Sequence, residues 1–279
     1  PEIRHEITSS PEDVFKRISD SGIVGLGGAA FPTHVKLTPP EGMKPEYLIL
    51  NGAECEPYLT ADYRLMLEHG QEILLGGELM RRTLGAGVNG IIGIEANKPR
   101  AIELMRELTS KSLQWKVVPL KKRYPQGGEK QLIDAVLGRR VASFALPVST
   151  GAIVQNVSTA YAVYEAVQKN KPLISKVLTV SSSDSSIQKN YRFRVGTPIM
   201  DILSHAGAME KDGGLSPQFA KVVNGGPMMG KPVSNLEGPV MKSTSGLLLF
   251  TEKETKRKEP GECIRCAKCV DACPMGLEP

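Results

Sequence analysis

The segment EYLILNGAE (46–54) is an apolar run with the length of one buried strand. Two similar runs follow it along the chain, NGIIGIEA (89–96) and WKVVPL (115–120). Between these runs the apolar residues recur with helical spacing, over about 61–84 and over KPRAIELMRELT (98–109). Strands that alternate with helices predict an α/β fold, in which a parallel sheet carries helices on both faces.

Three more helices are predicted, one of which follows the third strand and continues this alternation. They cover PEDVFKRISD (11–20), GEKQLIDAVLG (128–138) and a stretch of roughly 151–168. Their apolar residues fall on one side of each helix, as expected for helices that pack on a sheet. We therefore assign residues 1–172 to one α/β domain, which is an ordinary length for a single domain.

A smaller module with a different pattern follows at residues 173–250. KVLTV (176–180) and NYRFRV (190–195) predict two paired strands, and a short helix follows them. These elements predict a β-grasp-like module, which either binds a partner or spaces its neighbours; we favour spacing. A charged linker (251–262) then leads to a cysteine-rich segment (263–279).

The composition is that of an ordinary soluble domain and excludes two classes of function. Hydrophobic residues make up 41% of the 279 residues, and the net charge is +5. No run approaches the roughly 18 apolar residues that a membrane span needs, so we expect membrane association only through a partner. Aromatic residues are only 5%, which disfavours a stacking surface for nucleic acids.

The cysteine-rich segment has the spacing that bacterial ferredoxins use for 4Fe–4S clusters. Cys263, Cys266, Cys269 and Cys273 follow the pattern C-x₂-C-x₂-C-x₃-C, and Pro274 comes directly after them. In this pattern the first three thiolates bind one cluster, and the fourth binds the other cluster of a two-cluster unit. The spacing therefore predicts three ligands for one 4Fe–4S cluster and one ligand for a second.

Zinc and disulfide bonds are weaker interpretations of the same cysteines. Zinc sites usually use two short ligand pairs separated by a longer spacer, and four cysteines within eleven positions would pair only with strain. A complete two-cluster unit needs a second copy of the run, which this chain lacks. Since the chain begins with Pro1 and stops six residues after Cys273, we expect a piece truncated at both ends, with neither cluster intact.

A glycine-rich loop precedes the first predicted strand. Residues 25–30, GLGGAA, satisfy the dinucleotide-binding pattern G-x-G-x-x-G/A. That pattern indicates a Rossmann site only between a strand and a helix, and here the preceding element is helical and Pro32 interrupts the next helix. A simple Rossmann site is therefore disfavoured. Two interpretations stay open: backbone N–H groups that approach a phosphate or flat ring, or a structural turn.

Four segments together resemble the flavin-binding core of the flavoprotein subunit family of respiratory complex I. They are GLGGAAFPTHVKL (25–37), NGAECEP (51–57), YPQGGEK (124–130) and NVSTA (156–160). The ECEP variant, the β-grasp module (of the type called SLBB) and the ferredoxin run are together similar to the C subunit family of Rnf electron-transport complexes. The resemblance covers essentially the whole chain.

This resemblance implies an FMN site and, beside it, a site for NADH. Glu56, Glu129 and Lys130 would contact the nicotinamide nucleotide. The chain departs from the complex I pattern at Leu26, where an arginine is usual, and at Ala53, where an acidic residue is usual. The residues that correspond to the family's FMN contacts are Gly25, Gly27, Gly28, Lys36, Asn51, Glu54, Cys55, Tyr124, Gly127, Gly128, Glu129, Asn156 and Thr159.

The function that the resemblance implies is electron transfer through cofactors, with no acid–base catalytic residue. The chain would be the flavin and iron–sulfur subunit of a membrane-bound, ion-translocating ferredoxin:NAD⁺ oxidoreductase. Its partners would be the other subunits of that complex, ferredoxin-linked electron carriers and NADH, with the subunit peripheral on the cytoplasmic side of the membrane. Two alternatives remain open: a flavin and iron–sulfur cobalamin reductase of a microcompartment, or a docking scaffold that transfers electrons without a flavin.

Overall fold

A computed structural model describes residues 6–256, 261–273 and 276–278. Residues 257–260 of the predicted linker and Pro274 after the cysteine run lie outside these ranges. No helix in the described ranges is long and apolar enough to cross a membrane.

The first sheet contains four strands, all paired in parallel. Their order across the sheet is β3-β2-β1-β4, so β1 lies inside the sheet and pairs on one side with β2 and on the other with β4. This arrangement confirms the parallel sheet predicted from the alternating pattern. The strands are β1 (Tyr47–Gly52), β2 (Asn89–Glu95), β3 (Trp115–Leu120) and β4 (Ala152–Asn156).

Helices cover both faces of this sheet, as predicted. Successive side chains of a strand point to opposite faces, so a strand with apolar residues throughout contributes to a core on each side. On β1, Leu48 and Leu50 join the core formed with α1, α3, α4 and α6, whereas Ile49 joins the core formed with α5. These helices are α1 (Pro11–Asp20), α2 (Thr33–Lys36), α3 (Ala61–Leu84), α4 (Pro99–Thr109), α5 (Glu129–Leu137) and α6 (Val157–Lys169).

The single helix predicted over roughly 151–168 is wrong in its first third. Ala152–Asn156 form strand β4, which pairs with β1, and the helix begins only at Val157. A five-residue segment carries too little periodicity to separate strand from helix, and pairing with β1 decides the outcome. The correction places the amino end of α6 directly after a strand, at the carboxyl edge of the sheet.

The second sheet is mixed and has five strands in the order β6-β5-β9-β7-β8. Its pairs are antiparallel except for β5 and β9. Helix α7 (Ile199–His205) packs on it through a separate apolar core. The strands are β5 (Ser175–Ser182), β6 (Gln188–Arg194), β7 (Phe219–Asn224), β8 (Lys231–Pro232) and β9 (Gly246–Thr251), and the helices that follow are α8 (Glu252–Thr255) and α9 (Lys268–Ala272).

A hydrogen-bonded carboxylate fastens helix α3 to strand β3. Glu78 accepts hydrogen bonds from Arg81 at 2.7 and 2.8 Å, from Arg82 at 3.0 Å and from the indole Nε1 of Trp115 at 3.0 Å. Burial acts to raise the pKa of Glu78, but the donors from Arg81, Trp115 and Arg82 outweigh it and hold that pKa at about 2. The ionised carboxylate therefore stabilises the fold.

The Glu78→Gln variant should lower the free energy of unfolding at pH 7 by about 2 kcal/mol, since hydrogen bonds to a charged acceptor are lost. Because the pKa is depressed in the folded state, the contribution is present above the ordinary value of 4.5 and is lost as pH falls toward 2. Urea unfolding across this pH range measures it. Glu103→Gln on the exposed face of α4 is the control, and a gap between Glu78→Gln and wild type that does not shrink in acid would contradict this account.

Candidate functional site

A cleft of about 150 Å³ lies at the carboxyl edge of the parallel sheet. It lies beside the ends of β1 and β4, where ligands of open α/β sheets usually bind. Ten of its lining residues come from the four segments that carry the family resemblance: Leu26, Gly27, Asn51, Ala53, Glu54, Cys55, Glu56, Gly127, Asn156 and Ser158. Its other walls come from the start of α3 with the residue Leu59 before it, and from the second module: Leu59, Ala61, Asp62, Lys176, Val177 and Ser245.

Asn51 joins two of the predicted segments at the end of β1. Its Nδ2 donates to the carbonyl oxygen of Gly127 at 2.9 Å, and its Oδ1 accepts from the N–H of Ala53 at 3.0 Å. Gly127 lies so close that an added Cβ would be 2.5 Å from the Ala53 carbonyl oxygen and 3.3 Å from the Cys55 sulfur. The YPQGGE segment is thus held against the NGAECEP segment by direct contact.

The glycine loop is held at the start of α6. The N–H of Leu26 donates at 2.9 Å to the hydroxyl of Thr159, which is fully buried. Gly27 lies beside the Asn156 side chain, where an added Cβ would be at 3.5 Å. Gly28 has φ +113°, which favours glycine, and space is open where its side chain would be. The loop therefore presents bare backbone toward the amino end of a helix.

Asp62 was not predicted from the sequence, yet it lines the cleft. Its carboxylate accepts a hydrogen bond from Asn156 Nδ2 at 2.7 Å and a short one from the Ser158 hydroxyl. Asn156 in turn caps α6, because its Oδ1 accepts from the N–H of Ser158 at 2.8 Å. Asp62 thus joins the first turn of α3 to the first turn of α6.

Glu54 holds the first turn of α3, the helix that carries Asp62. Its two carboxylate oxygens accept from the N–H groups of Asp62 and Tyr63, at 3.0 and 3.2 Å, and so cap helix α3. Burial and the negative charge of Asp62 raise the pKa of Glu54 to about 8. A carboxyl group that is partly protonated near neutral pH therefore lies beside the cleft.

Lys36 and Glu129 were predicted as site residues from separate segments, and the structure brings them together. The Lys36 ammonium lies 2.6 Å from Glu129 Oε1, and both side chains are partly exposed. Lys130, predicted to contact NADH, donates to the carbonyl of Ala142 at 3.1 Å. Gly25 closes the base of the glycine loop, with its N–H bonded to the Phe31 carbonyl at 2.8 Å.

Glu56 connects the cleft to the second sheet. Its carboxylate accepts from the N–H groups of Met228 and Met229 at 3.0 and 2.9 Å. Gly226 packs on the same side chain, where an added Cβ would be 2.7 Å from Glu56 Cβ. A loop of the second module therefore contacts a residue predicted to bind NADH.

Cys55 lines the cleft, and Tyr124 lies near it, close enough to Cys55 and Glu56 to feel their charges. Cys55 is half-buried, and burial raises the pKa of its thiol. Tyr124 is partly exposed and precedes a cis peptide bond to Pro125; desolvation, with the nearby charges of Glu56 and Cys55, raises its pKa. Neither pKa shift prepares a group for proton transfer near neutral pH. Gly128, the N-cap of α5, completes the YPQGGE segment.

The cysteine run lies on an exposed loop and on α9. Cys263, Cys266 and Cys269 are exposed and Cys273 is half-buried. Backbone N–H groups donate to the sulfurs of Cys263 and Cys273, each at 3.4 Å. Within the described ranges no three His, Cys, Asp or Glu side chains form a group that could hold a metal ion. The thiols suit an iron–sulfur cluster by type, and the assignment of ligands stays a prediction from the spacing.

A larger groove, of about 670 Å³, lies between α3 and strands β5 and β6. It is lined by polar and aromatic side chains such as Tyr63, His69, Asn190 and Tyr191. None of the predicted site residues lines it. Judged by volume alone, this groove would be the candidate functional site. The residues of the four family-like segments instead line the smaller cleft, which we therefore take as the candidate site.

The sheet, the bare glycine loop and a helix that begins at the carboxyl edge are features typical of α/β domains that bind phosphate-bearing cofactors. The family comparison makes this class specific: residues 18–165 match the Nuo51 FMN-binding domain. The chain belongs to the family of Nuo51 FMN-binding domains.

Two similar curated proteins are the C subunits of ion-translocating complexes. The chain is 44% identical over 270 residues to the C subunit of the proton-translocating ferredoxin:NAD(+) oxidoreductase complex of Clostridium ljungdahlii, with 97% of this chain and 57% of that protein covered. It is 42% identical over 264 residues to the Na(+)-translocating counterpart of Acetobacterium woodii, with 95% of this chain and 58% of that protein covered. The chain thus spans a little over half the length of these relatives.

A solved structure with the same fold is the crystal structure of an NAD⁺-reducing [NiFe]-hydrogenase in the H₂-reduced state. The TM-score is 0.67 at 21% identity, and the match covers 88% of this chain and 47% of that chain. At this identity the likeness shows the fold alone. It extends over more of the chain than the Nuo51 domain match, which ends at residue 165.

Proposed function

We propose that this chain is the flavin-binding part of an electron-transfer subunit that exchanges hydride with NAD(H) in a ferredoxin:NAD⁺ oxidoreductase. The observation that carries the proposal is the convergence of four segments on one cleft. Asn51 joins the first strand end to Gly127, and Thr159 joins the start of α6 to the glycine loop at Leu26. Segments more than 70 positions apart along the chain are thereby held within hydrogen-bonding distance.

FMN fits the residues of this cleft on two grounds. The glycine loop offers bare backbone at Gly27 and Gly28, and the space beyond Gly28 is open. Helix α6 begins beside it, and the N–H groups of a helix amino end favour a phosphate. Gly25, Gly27, Gly28, Asn156 and Thr159 would hold the phosphate side, and the strand-end and YPQGGE residues would flank the ring: Asn51, Glu54, Cys55, Tyr124, Gly127, Gly128 and Glu129.

The residues of the chain would act by positioning. When bound, FMN supplies both hydride chemistry and one-electron chemistry, so no acid–base residue is required. The ion pair of Lys36 with Glu129 fixes the glycine-loop segment against the YPQGGE segment. Glu56, held by the second module, and Glu129 lie on segments that border the cleft and are our proposed contacts for NADH, together with Lys130.

Two 4Fe–4S clusters in the whole protein would exchange electrons with this site. Cys263, Cys266 and Cys269 are the proposed ligands of one cluster, and Cys273 of the other. The relatives from Clostridium ljungdahlii and Acetobacterium woodii are named as subunits of translocating complexes. By that similarity, we propose that the subunit is peripheral on the cytoplasmic side of a membrane complex, in contact with the other subunits and with ferredoxin-linked carriers.

Flavin binding followed by anaerobic reduction tests this proposal. The chain is incubated with FMN, desalted and examined by visible spectroscopy, and NADH is then added without oxygen. We expect about one FMN per chain and bleaching of its absorbance by NADH. A colourless protein would contradict the proposal and favour the flavin-free scaffold. Retained FMN that NADH leaves oxidised would reject the nicotinamide part alone.

A further inference from the structure

Lys176 is a buried cation that the sequence analysis did not select. It lies near the start of β5, in the second module, and only 6% of its surface is exposed. Even so, it lines the cleft of the first domain together with Leu26, Asn156 and Ser158. A residue of one module thus contributes a charge to the interior of a site formed mainly by the other.

The ammonium group of Lys176 has fewer partners than it can use. It carries three N–H donors, and its one identified hydrogen bond runs to the carbonyl oxygen of Lys242 at 2.9 Å. Within the described ranges, no carboxylate lies within 4.0 Å of its nitrogen. A buried charge is costly unless it is paired and hydrogen-bonded, so the remaining N–H donors of Lys176 would favour an anion that enters the cleft.

The surroundings of Lys176 explain why Asp62 is not that anion. Asp62 acts on Lys176 electrostatically, but its carboxylate is already bonded to Asn156 and Ser158. Burial lowers the pKa of Lys176 to about 8, and the charge of Asp62 opposes this. A second anion in the cleft would be attracted both by the ammonium group and by the amino end of α6, since Lys176, Asn156 and Ser158 all line it.

We propose that Lys176 is a phosphate-binding residue of the FMN cleft, so that the second module completes the cofactor site. This inference rests on the proposed function, because the anion is taken to be the phosphate of FMN. It assigns to the module a part in cofactor selection: with Lys176 in place, the cleft should prefer FMN to riboflavin, which has the same ring and lacks the phosphate. The preference should depend on charge at this one position.

The test compares the affinities of FMN and riboflavin by fluorescence titration in wild type, Lys176→Met and Lys176→Arg. We expect Lys176→Met to weaken FMN binding at least tenfold, as for a lost charge-assisted hydrogen bond, and to leave riboflavin binding within twofold. Lys176→Arg should keep the preference for FMN. Riboflavin affinity reports whether each variant folds, because it needs the same cleft without the phosphate contact.

Lys242→Met is the matched control. Lys242 belongs to the same module, and its ammonium group donates at 2.7 Å to the carbonyl of Gly22, outside the cleft. This variant should retain the preference of wild type for FMN over riboflavin. If Lys176→Met keeps that preference, the role of Lys176 is rejected. The role is also rejected if Lys176→Met loses affinity for FMN and riboflavin equally while Lys242→Met keeps both affinities. If wild type binds neither flavin, the proposed function itself fails.

Discussion

Replacing Gly76 with alanine should lower the free energy of unfolding by about 3 kcal/mol or more, the upper end of overpacking effects. Gly76 lies inside α3 where that helix crosses α6. An added Cβ would be 2.7 Å from the carbonyl carbon of Ala160, closer still to its oxygen, and 3.2 Å from the Tyr164 nitrogen. All three obstacles are backbone atoms, so the helices must separate to admit one methyl group. Urea unfolding at pH 7 measures the change.

Whether Gly76→Ala lowers or raises the free energy of unfolding distinguishes an effect of packing from an effect of helix propensity. Alanine is normally favoured over glycine inside a helix by about 1 kcal/mol, so propensity alone predicts that Gly76→Ala is stabilising. Gly87→Ala is the control, because nothing lies within 4 Å of the added Cβ there. It should change stability by less than about 0.5 kcal/mol. A Gly76→Ala protein as stable as wild type would show that α3 and α6 are not in the contact described.

The Gly127→Ala variant should lose FMN affinity by roughly 10- to 100-fold, the equivalent of 1–3 kcal/mol of overpacking. The added Cβ would lie 2.5 Å from the Ala53 carbonyl oxygen, so the YPQGGE segment must move away from the end of β1. That movement breaks the hydrogen bond from Asn51 to Gly127, which holds one wall of the cleft. Fluorescence titration with FMN measures the loss.

The same control serves this second prediction. Gly87 precedes β2, at the amino-terminal edge of the sheet, whereas the cleft lies at the carboxyl edge. Gly87→Ala should therefore bind FMN as wild type does, and both variants should remain folded by circular dichroism. Unchanged FMN affinity in a folded Gly127→Ala protein would mean that the contact between the YPQGGE and NGAECEP segments does not shape the site.

The sequence predicted the elements whose pattern is strong and local. Helix α3 over residues 61–84 and strand β2 from residue 89 were both placed, because long periodic or apolar runs carry enough information by themselves. Strand β4 was missed because its five residues become a strand only by pairing with β1. The error did not affect Asn156, which comes at the junction of the strand and α6.

The residues of the candidate site also fall into two groups, those that the sequence predicted and those that only the folded structure reveals. Family segments selected Asn51 and Gly127, and the structure places them in contact. Asp62 and Lys176 lie outside those segments, and only the folded chain brings them to the cleft. No local pattern marks an aspartate in the first turn of a helix, or a lysine in a strand of another module, as part of a cofactor site. The cysteine spacing predicts a ligand type without the geometry that would hold a cluster.

The central claim is that FMN occupies the cleft at the carboxyl edge of the parallel sheet, and a crystal structure of the chain with FMN tests it most directly. We predict flavin density between the glycine loop at Gly27, the strand end at Asn51 and the backbone of Gly127. Flavin density in the larger groove between α3 and β6, lined by Tyr63 and Tyr191, would contradict the account.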